Sequence, residues 1–362
     1  KNNIKAQELY AHENLPLTYT FGQHLIETIY NKKSSYSYFS GCSTGGRMAA
    51  IAAQRYPELF DGIISGCPIV NLSMNGGVFG AWVLQSMTRK DGSLKINYDF
   101  TEKLKILEKN AYYECDNNDG KEDRIIADPE NCDLSLKKIQ ICSLNSTKDC
   151  LTEEELSVVK KWYQGPVDKN GKQLFPGMPP GSERYWGYWY LGTNESPGPG
   201  TLLADGYGKY LAYPTVNESF TALNFNFTSD VDSLNERGSL YNALNPDLKK
   251  FYNTGGKMIM WHGSADPLVI PEQSIKYYNS VVDKMGSHTN VNSFFRLFMA
   301  PGLGHCWEKP ADAPDTLNML ENLEKWVEMS EAPDIIVATQ YDGNGLAIRE
   351  AKLRPYPQKP IY

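Results

Sequence analysis

Short apolar runs bounded by glycine or proline alternate with helix-forming segments near both ends of the chain. Residues 36–40 and 62–66 predict two strands, and the alanine-rich residues 47–55 between them predict a helix. The same rhythm returns later, with strands at 257–261 and 294–299 on either side of a second helix. Strand, helix and strand in this order form βαβ units, so the pattern predicts a mainly parallel α/β sheet.

Between residues 69 and 245 the pattern changes to aromatic residues and proline-glycine punctuation, with four cysteines. We interpret 69–245 as a large insertion that forms a lid, because long insertions of this kind commonly cover a functional site. Residues 1–68 and 246–362 then form the α/β domain. Apolar positions at helical spacing over 315–329 predict a final surface helix.

Charge and hydropathy exclude several classes of partner. The formal net charge of −7 does not favour binding to nucleic acid or to an anionic membrane. The chain contains no apolar run close to the roughly 20 residues that a membrane helix needs. Its first residues are not a signal peptide, so we expect any export signal to have been removed or omitted.

Two features predict a secreted, extracellular glycoprotein. The sequence contains five N-x-[ST] sequons, whose asparagines are Asn71, Asn145, Asn194, Asn217 and Asn226. It also contains seven cysteines, several at spacings suited to disulfide bonds: Cys42, Cys67, Cys115, Cys132, Cys142, Cys150 and Cys306. The alternative is a set of reduced, buried thiols in a cytosolic protein.

Residues 41–45 (Gly-Cys-Ser-Thr-Gly) fit the G-x-S-x-G pattern of a nucleophile elbow. In that motif a strained turn between strand and helix exposes the serine hydroxyl, here that of Ser43. We expect larger side chains at the flanking glycines to clash with neighbouring backbone. The backbone N–H of Thr44, at the start of the helix, is the expected oxyanion donor.

A serine nucleophile needs a base, and the base needs a carboxylate to orient it. Asp266 and His305 each follow a predicted strand in the order that this motif requires. Of the other histidines, His12 and His24 precede the elbow, and His288 lies in a polar stretch. His262 is the competing candidate for the base, although its position at the end of a strand is more typical of a structural hydrogen bond.

The cysteines support this choice of triad. Cys42 directly precedes Ser43, and Cys306 directly follows His305. If the triad forms, the two cysteines lie close together, and a disulfide between them locks the nucleophile loop to the base loop.

Taken together, Cys42-Ser43, Asp266 and His305-Cys306 resemble the Cys-Ser, Asp, His-Cys signature of the tannase and feruloyl esterase family. Residues 36–47, 55–62, 261–266 and 354–357 resemble further blocks of that family. The resemblance implies an α/β-hydrolase domain with a lid that shapes the acyl pocket. It implies a carboxylic ester hydrolase that acts on esters of plant phenolic acids.

An acidic loop within the lid predicts a structural calcium site, because oxygen-rich side chains around a glycine suit a hard cation. By resemblance to the lid site of the family, the ligands are the side chains of three aspartates and two backbone carbonyls: Asp116, Asp119, Asp123, Lys121 and Ile125. Cys115 and Cys132 bracket this loop and are expected to pair, as are Cys142 and Cys150. A solvated acidic turn is the alternative reading.

Only 42 residues precede Ser43, and they contain no glycine-rich loop for a second oxyanion donor. We therefore expect an N-terminal segment of the same precursor to complete the sheet, with Cys67 as the thiol available to link to it.

Several functions remain open from the sequence. We favour galloyl esters (a tannase) slightly over feruloyl esters, with the aromatic residues 185–190 of the lid stacking on a phenolic ring. A secreted serine peptidase would use the same triad. A calcium-dependent binding module on an inactive hydrolase fold is the alternative outside enzymes.

Overall fold

The computed structural model describes residues 3–143, 149–306, 308 and 313–361. The strands are β1 (Tyr38–Cys42), β2 (Gly62–Gly66), β3 (Lys257–Gly263), β4 (Phe295–Ala300), β5 (Thr316–Leu317), β6 (Ile336–Tyr341) and β7 (Ala347–Leu353). Within these residues β1 to β4 form one sheet in the order β1-β2-β3-β4, and every neighbouring pair is parallel. The predicted mainly parallel sheet is confirmed.

Helices surround this sheet and build the segment between β2 and β3. The α-helices are α1 (Ile4–Glu8), α2 (Asn14–Tyr30), α3 (Thr44–Arg55), α4 (Gly80–Met87), α5 (Leu104–Cys115), α6 (Glu153–Gln164), α7 (Glu183–Trp186), α8 (Pro199–Tyr210), α9 (Val231–Tyr241), α10 (Lys249–Asn253), α11 (Glu272–Met285), α12 (His288–Asn292) and α13 (Met319–Met329). π-helical turns cover Leu9–Glu13, Ser73–Phe79 and Gly187–Leu191, and 3-10 turns cover Tyr98–Lys103, Asp116–Asp119, Pro129–Asn131 and Ala222–Asn224.

The sheet is covered on both faces because its central strands are apolar. All five residues of β2 are buried. The alanine-rich helix α3 lies in one apolar cluster with residues of β3, β4 and α11, and α13 lies in another with Ile64, Ile259 and Phe298. Burial on both faces is the usual condition of a parallel sheet, since its crossover helices lie against the faces.

The predicted helix at 315–329 is shorter than expected, because α13 begins at Met319. Leu323 and Trp326 on this helix are buried against the sheet. Beyond it, β5, β6 and β7 form a small antiparallel sheet that the apolar pattern did not predict.

Residues between 69 and 241 contribute most of the largest apolar cluster, which is separate from the two clusters on the sheet. It includes the ring of Trp162, which lies edge-on to Trp186 and tilted against Tyr190. Helix α6, which begins at a capping box between Thr152 and Glu155, supplies Trp162. No described helix is both long enough and apolar enough to cross a membrane.

Candidate active site

Ser43 lies on a sharp turn between β1 and α3, with φ at 62° and ψ at −120°. Its N–H donates to the Gly66 carbonyl at 2.9 Å, which fastens the turn to β2. A Cβ on Gly41 would lie 2.5 Å from the Gly45 backbone, and a Cβ on Gly46 would lie 2.3 Å from the Gly66 oxygen. These contacts explain the requirement for glycine at 41 and 46. At Gly45 the expected clash is absent, because a Cβ there meets nothing within 4 Å.

Asp266 and His305 meet at the carboxyl ends of β3 and β4. The Nδ1 atom of His305 lies 2.6 Å from Oδ2 of Asp266, and both side chains are buried. The other oxygen of Asp266 accepts the N–H groups of Leu268 and Val269, each at 2.9 Å. The His305 ring and two backbone N–H groups therefore hold the carboxylate, which suits a carboxylate that orients a base.

The charges of this pair stabilise each other. Burial alone would raise the pKa of Asp266, but the charge of His305 and hydrogen bonds from His262 and His305 hold that pKa at about 2. Burial alone would lower the pKa of His305, yet the facing Asp266 carboxylate outweighs it and raises the pKa. Asp266 therefore remains ionised over the range in which His305 takes up and releases a proton.

The competing histidine, His262, has a structural position. Its Nδ1 lies 2.7 Å from Ser274 Oγ, and its Nε2 lies 2.8 Å from the Val269 carbonyl oxygen. Both ring nitrogens are thus engaged, and the side chain is fully buried. His12 lies away from the triad, 2.7 Å from the Tyr56 hydroxyl.

A disulfide joins Cys42 to Cys306, with the two Cα atoms 6.0 Å apart. It connects the residue before the serine to the residue after the histidine, as the sequence predicts. Cys67, the one described cysteine without a disulfide, lies beside this bond, and its sulfur accepts the Cys306 N–H at 3.4 Å. The thiol is fully buried, and burial raises its pKa.

A cavity of about 330 Å³ reaches Ser43 and Thr44. Its lining is mainly aliphatic and aromatic: Tyr10, Ile69, Leu72, Phe79, Tyr190, Leu202, Leu203, Ala204, Tyr207, Tyr210, Leu211, Leu268 and Val269, together with Asn75 and four glycines. The carboxamide of Asn75 is held by Leu268, Ile270 and Gln273. The cavity therefore offers Ser43 a mainly apolar chamber, in which the buried Tyr207 hydroxyl has no partner among the described residues.

Comparison with known proteins agrees with this geometry. The family model described as "Tannase and feruloyl esterase" matches residues 1–362. The chain belongs to the tannase and feruloyl esterase family. Its members are carboxylic ester hydrolases, and the fold is of the α/β-hydrolase type.

Three similar proteins share less than a third of their aligned residues with the chain. An uncharacterized esterase of Xanthomonas campestris is 30% identical over 398 residues, which cover 98% of this chain and 67% of that protein. A probable feruloyl esterase of Arthroderma benhamiae is 29% identical over 382 residues, covering 99% and 67%. The crystal structure of feruloyl esterase B from Aspergillus oryzae has a TM-score of 0.83 at 26% identity, covering 97% of this chain and 71% of that one.

The lid of this tannase and feruloyl esterase family member contacts the triad loops through the aromatic segment 185–190. The hydroxyl of Tyr185 donates to the Gly302 carbonyl at 2.9 Å, and that of Tyr190 donates to the Pro267 carbonyl at 2.9 Å. Of this segment, Tyr190 lines the cavity.

Two residues near the site were missed by the sequence analysis. Arg47 is fully buried and donates to the carbonyls of Ala11 and Tyr241, so it ties the N-terminal helices and the lid to the elbow helix. Glu308 accepts the His305 N–H at 2.6 Å. A charged side chain three residues from the proposed base was the available signal for Glu308.

The acidic lid loop bends at Gly120, where φ is 89°. Asp116 accepts the N–H groups of Arg124 and Ile125, and Asp119 accepts that of Lys121. Oxygens of the three described aspartates do not all lie within 4.8 Å of one another. Burial, and then the charge of Asp123, raises the pKa of Asp116. The three carboxylates are thus not gathered around one point, and calcium binding at this loop stays a prediction.

The remaining predicted sites are distributed over the lid. Disulfides join Cys115 to Cys132 and Cys142 to Cys150. Among the sequon asparagines, Asn194 and Asn226 are exposed, Asn71 and Asn217 are half-buried, and Asn145 lies outside the described residues.

Proposed function

We propose that the chain hydrolyses esters of hydroxycinnamic acids, such as feruloyl esters, through an acyl-enzyme on Ser43. The observation that carries this proposal is the apolar cavity that reaches Ser43 and Thr44. Two similar proteins, from Arthroderma benhamiae and Aspergillus oryzae, are named as feruloyl esterases, which agrees with it.

The polarity of the cavity favours a feruloyl over a galloyl group, against the preference from sequence. A galloyl ring carries three hydroxyls, whereas a feruloyl ring carries one hydroxyl and one methoxy group. A buried hydroxyl without a partner costs about 1–3 kcal/mol. Tyr190 is already bonded to Pro267 and Asn75 is held on three sides. The Tyr207 hydroxyl is buried in the lining with no partner among the described residues, so it can pair with one ring hydroxyl but not with three.

In the proposed mechanism, Ser43 attacks the ester carbonyl while His305 removes the hydroxyl proton through Nε2. Asp266 holds Nδ1–H and so fixes the tautomer that leaves Nε2 free to accept. The Thr44 N–H, at the start of α3, stabilises the oxyanion. His305 then protonates the leaving alcohol, and water hydrolyses the acyl-enzyme by the same steps.

We further propose that the protein is extracellular and glycosylated. Three disulfides support an oxidising compartment. The exposed asparagines Asn194 and Asn226 are the sequons open to glycosylation. Asn71, in contrast, is half-buried and packed against Ser73 and Asn242, which disfavours a glycan there.

Calcium binding at the acidic lid loop is also proposed. Asp116, Asp119 and Asp123 would bind the ion through carboxylate oxygens, with the carbonyls of Lys121 and Ile125. A bound cation would neutralise the carboxylates crowded around Gly120. The proposed role is structural.

The mechanism and the substrate preference are tested together with methyl ferulate, methyl gallate and a peptide amide as substrates. We expect kcat/KM for ferulate to exceed that for gallate by about tenfold or more, since gallate leaves hydroxyls unpaired. The peptide is expected to remain uncleaved. Ser43→Ala should lower ester turnover by about four orders of magnitude or more, with an unchanged melting temperature.

Each alternative has its own outcome in this assay. Faster turnover of gallate would identify a tannase, and cleavage of the peptide would identify a peptidase. An inactive wild type that still binds ligand would indicate a binding module. Full turnover by Ser43→Ala would overturn the triad itself.

A further inference from the structure

Glu308 bridges the loop of the proposed base and the lid. One carboxylate oxygen, Oε2, accepts the backbone N–H of His305 at 2.6 Å. The other, Oε1, accepts the indole N–H of Trp189 at 2.8 Å. The Glu308 N–H returns to the His305 carbonyl at 3.2 Å, so the two residues close a tight turn.

This turn depends on the glycine that precedes the histidine. A Cβ on Gly304 would lie 2.3 Å from Oε2 of Glu308 and 2.9 Å from the ring of Tyr185. The carboxylate thus fills space that any larger residue at 304 would take. Such a fit shows that the side chain of Glu308 is placed by the loop and is not a free surface group.

Trp189 also contacts the base directly. Its ring lies edge-on to the His305 imidazole, with 5.4 Å between the centroids and 82° between the planes. The lid segment that carries it is fastened on either side, by Tyr185 to Gly302 and by Tyr190 to Pro267. His305 is therefore held by Asp266 at one ring edge and by a fixed indole beside the ring.

We propose that Glu308 is a positioning residue that couples the lid to the base, through Trp189 on one oxygen and the His305 backbone on the other. The inference rests on the proposed function, because it assigns Glu308 a role only if His305 is the base.

The charge of Glu308 gives the proposal a separate signature. The titratable groups that face it are His305, Asp266, Tyr190 and Cys67. Burial, and then the charge of Asp266, raises the pKa of Glu308 to about 7. When ionised, Glu308 raises the pKa of His305. Since the base must be neutral, removing this charge should move the acidic limb of the activity profile to lower pH.

The test compares pH profiles of kcat and KM for 4-nitrophenyl butyrate, a generic ester that does not depend on the cavity preference. For Glu308→Gln we expect kcat to fall roughly 10- to 100-fold with KM close to the wild-type value. The acidic limb should move down by roughly half a pH unit. Glu308→Asp keeps the charge, but its side chain is too short to reach both N–H groups. Its acidic limb should therefore lie at the wild-type pH, while its kcat stays low.

Glu183→Gln is the matched control, because Glu183 is a buried carboxylate of the lid whose pKa, like that of Glu308, is raised to about 7. It should leave the acidic limb of the pH profile in place.

A wild-type acidic limb and a wild-type kcat in Glu308→Gln would overturn the inference. If that variant fails to fold, Trp189→Phe provides the test, because it removes the hydrogen bond to Glu308 and keeps an aromatic ring. An unchanged kcat in Trp189→Phe would overturn the inference. Loss of activity in Ser43→Ala alongside a normal Glu308→Gln would reject this inference only, whereas an active Ser43→Ala would reject the proposed mechanism.

Discussion

Glu183 is a buried lid residue whose carboxylate is only partly satisfied. Its Oε1 accepts the Tyr163 hydroxyl at 2.5 Å and the Gly181 N–H at 3.1 Å. Its Oε2 has no hydrogen-bond partner among the described residues. Burial raises the pKa of this carboxyl to about 7, although both hydrogen bonds act in the opposite direction. Glu183 therefore binds a proton more tightly in the folded protein than in the unfolded chain.

Glu183→Gln should make the protein more stable above pH 7. Because the folded pKa lies above the unfolded one, the wild type loses stability as pH rises from about 4.5 to about 7. The expected gain of the variant at pH 8 is roughly 2–3 kcal/mol, and it should vanish below pH 4.5. Urea unfolding at both pH values measures it. The exposed Glu195→Gln is the control, and an equal effect of Glu183→Gln at both pH values would contradict the argument.

At the scale of single residues, the sequence predicted those site positions at which the chemistry requires a particular residue type. The order Ser43, Asp266, His305 and the cysteines beside them were recognisable because the chemistry constrains type, order and adjacency together. Glu308 was not recognised, because nothing in its neighbours shows that Gly304 opens a space for it. Cys67 was expected to be available for a link to another segment, and that link stays a prediction. In the structure its sulfur is buried beside the Cys42–Cys306 bond.

Among the elements, the strands of the central sheet were predictable within a few residues. Their apolar runs are continuous because both faces of the sheet are buried. The hairpin of β6 and β7 was not, since β7 buries only Ala351 and Leu353 and exposes most of its other residues. A strand with so few buried positions has too weak an alternation to stand out from a loop.

Ile125, in the acidic lid loop, packs against the segment that precedes His305. This side chain is buried in the cluster that includes Ala300 and Leu303, and it lies 3.5 Å from the position of a Cβ on Gly302. The proposed calcium site would therefore support the segment that leads to His305.

Removing calcium should lower the melting temperature by a few degrees, because an ion that binds only the folded state at 100 times its Kd adds about 2.7 kcal/mol. Calorimetry of the wild type with chelator, and then with calcium restored, measures this change. Asp123→Asn should lack the response. Asp168→Asn should keep it, since Asp168 caps a different exposed lid turn, by accepting the N–H groups of Asn170 and Lys172. If the chelator leaves the melting temperature of the wild type unchanged, the result would contradict calcium binding.

At the scale of the whole molecule, the elbow and the base belong to segments far apart in sequence. The parallel sheet brings the carboxyl ends of β1, β3 and β4 to one edge, and the Cys42–Cys306 disulfide joins the end of β1 to the loop after β4. The segment between β2 and β3, which we interpret as a lid, contacts the loops that carry Asp266 and His305. These contacts of its aromatic residues were not predicted from the sequence.

The bond between Cys42 and Cys306 spans 264 positions of the chain. It turns everything between β1 and the base loop into a closed covalent ring. A protease that cuts once within this ring does not release a fragment. The piece that carries Ser43 and the piece that carries Asp266 and His305 stay attached through this disulfide, whose cysteines are next to Ser43 and His305. The hydrolase can thus exist as two polypeptides without separating its proposed nucleophile from its proposed base, for as long as its surroundings remain oxidising.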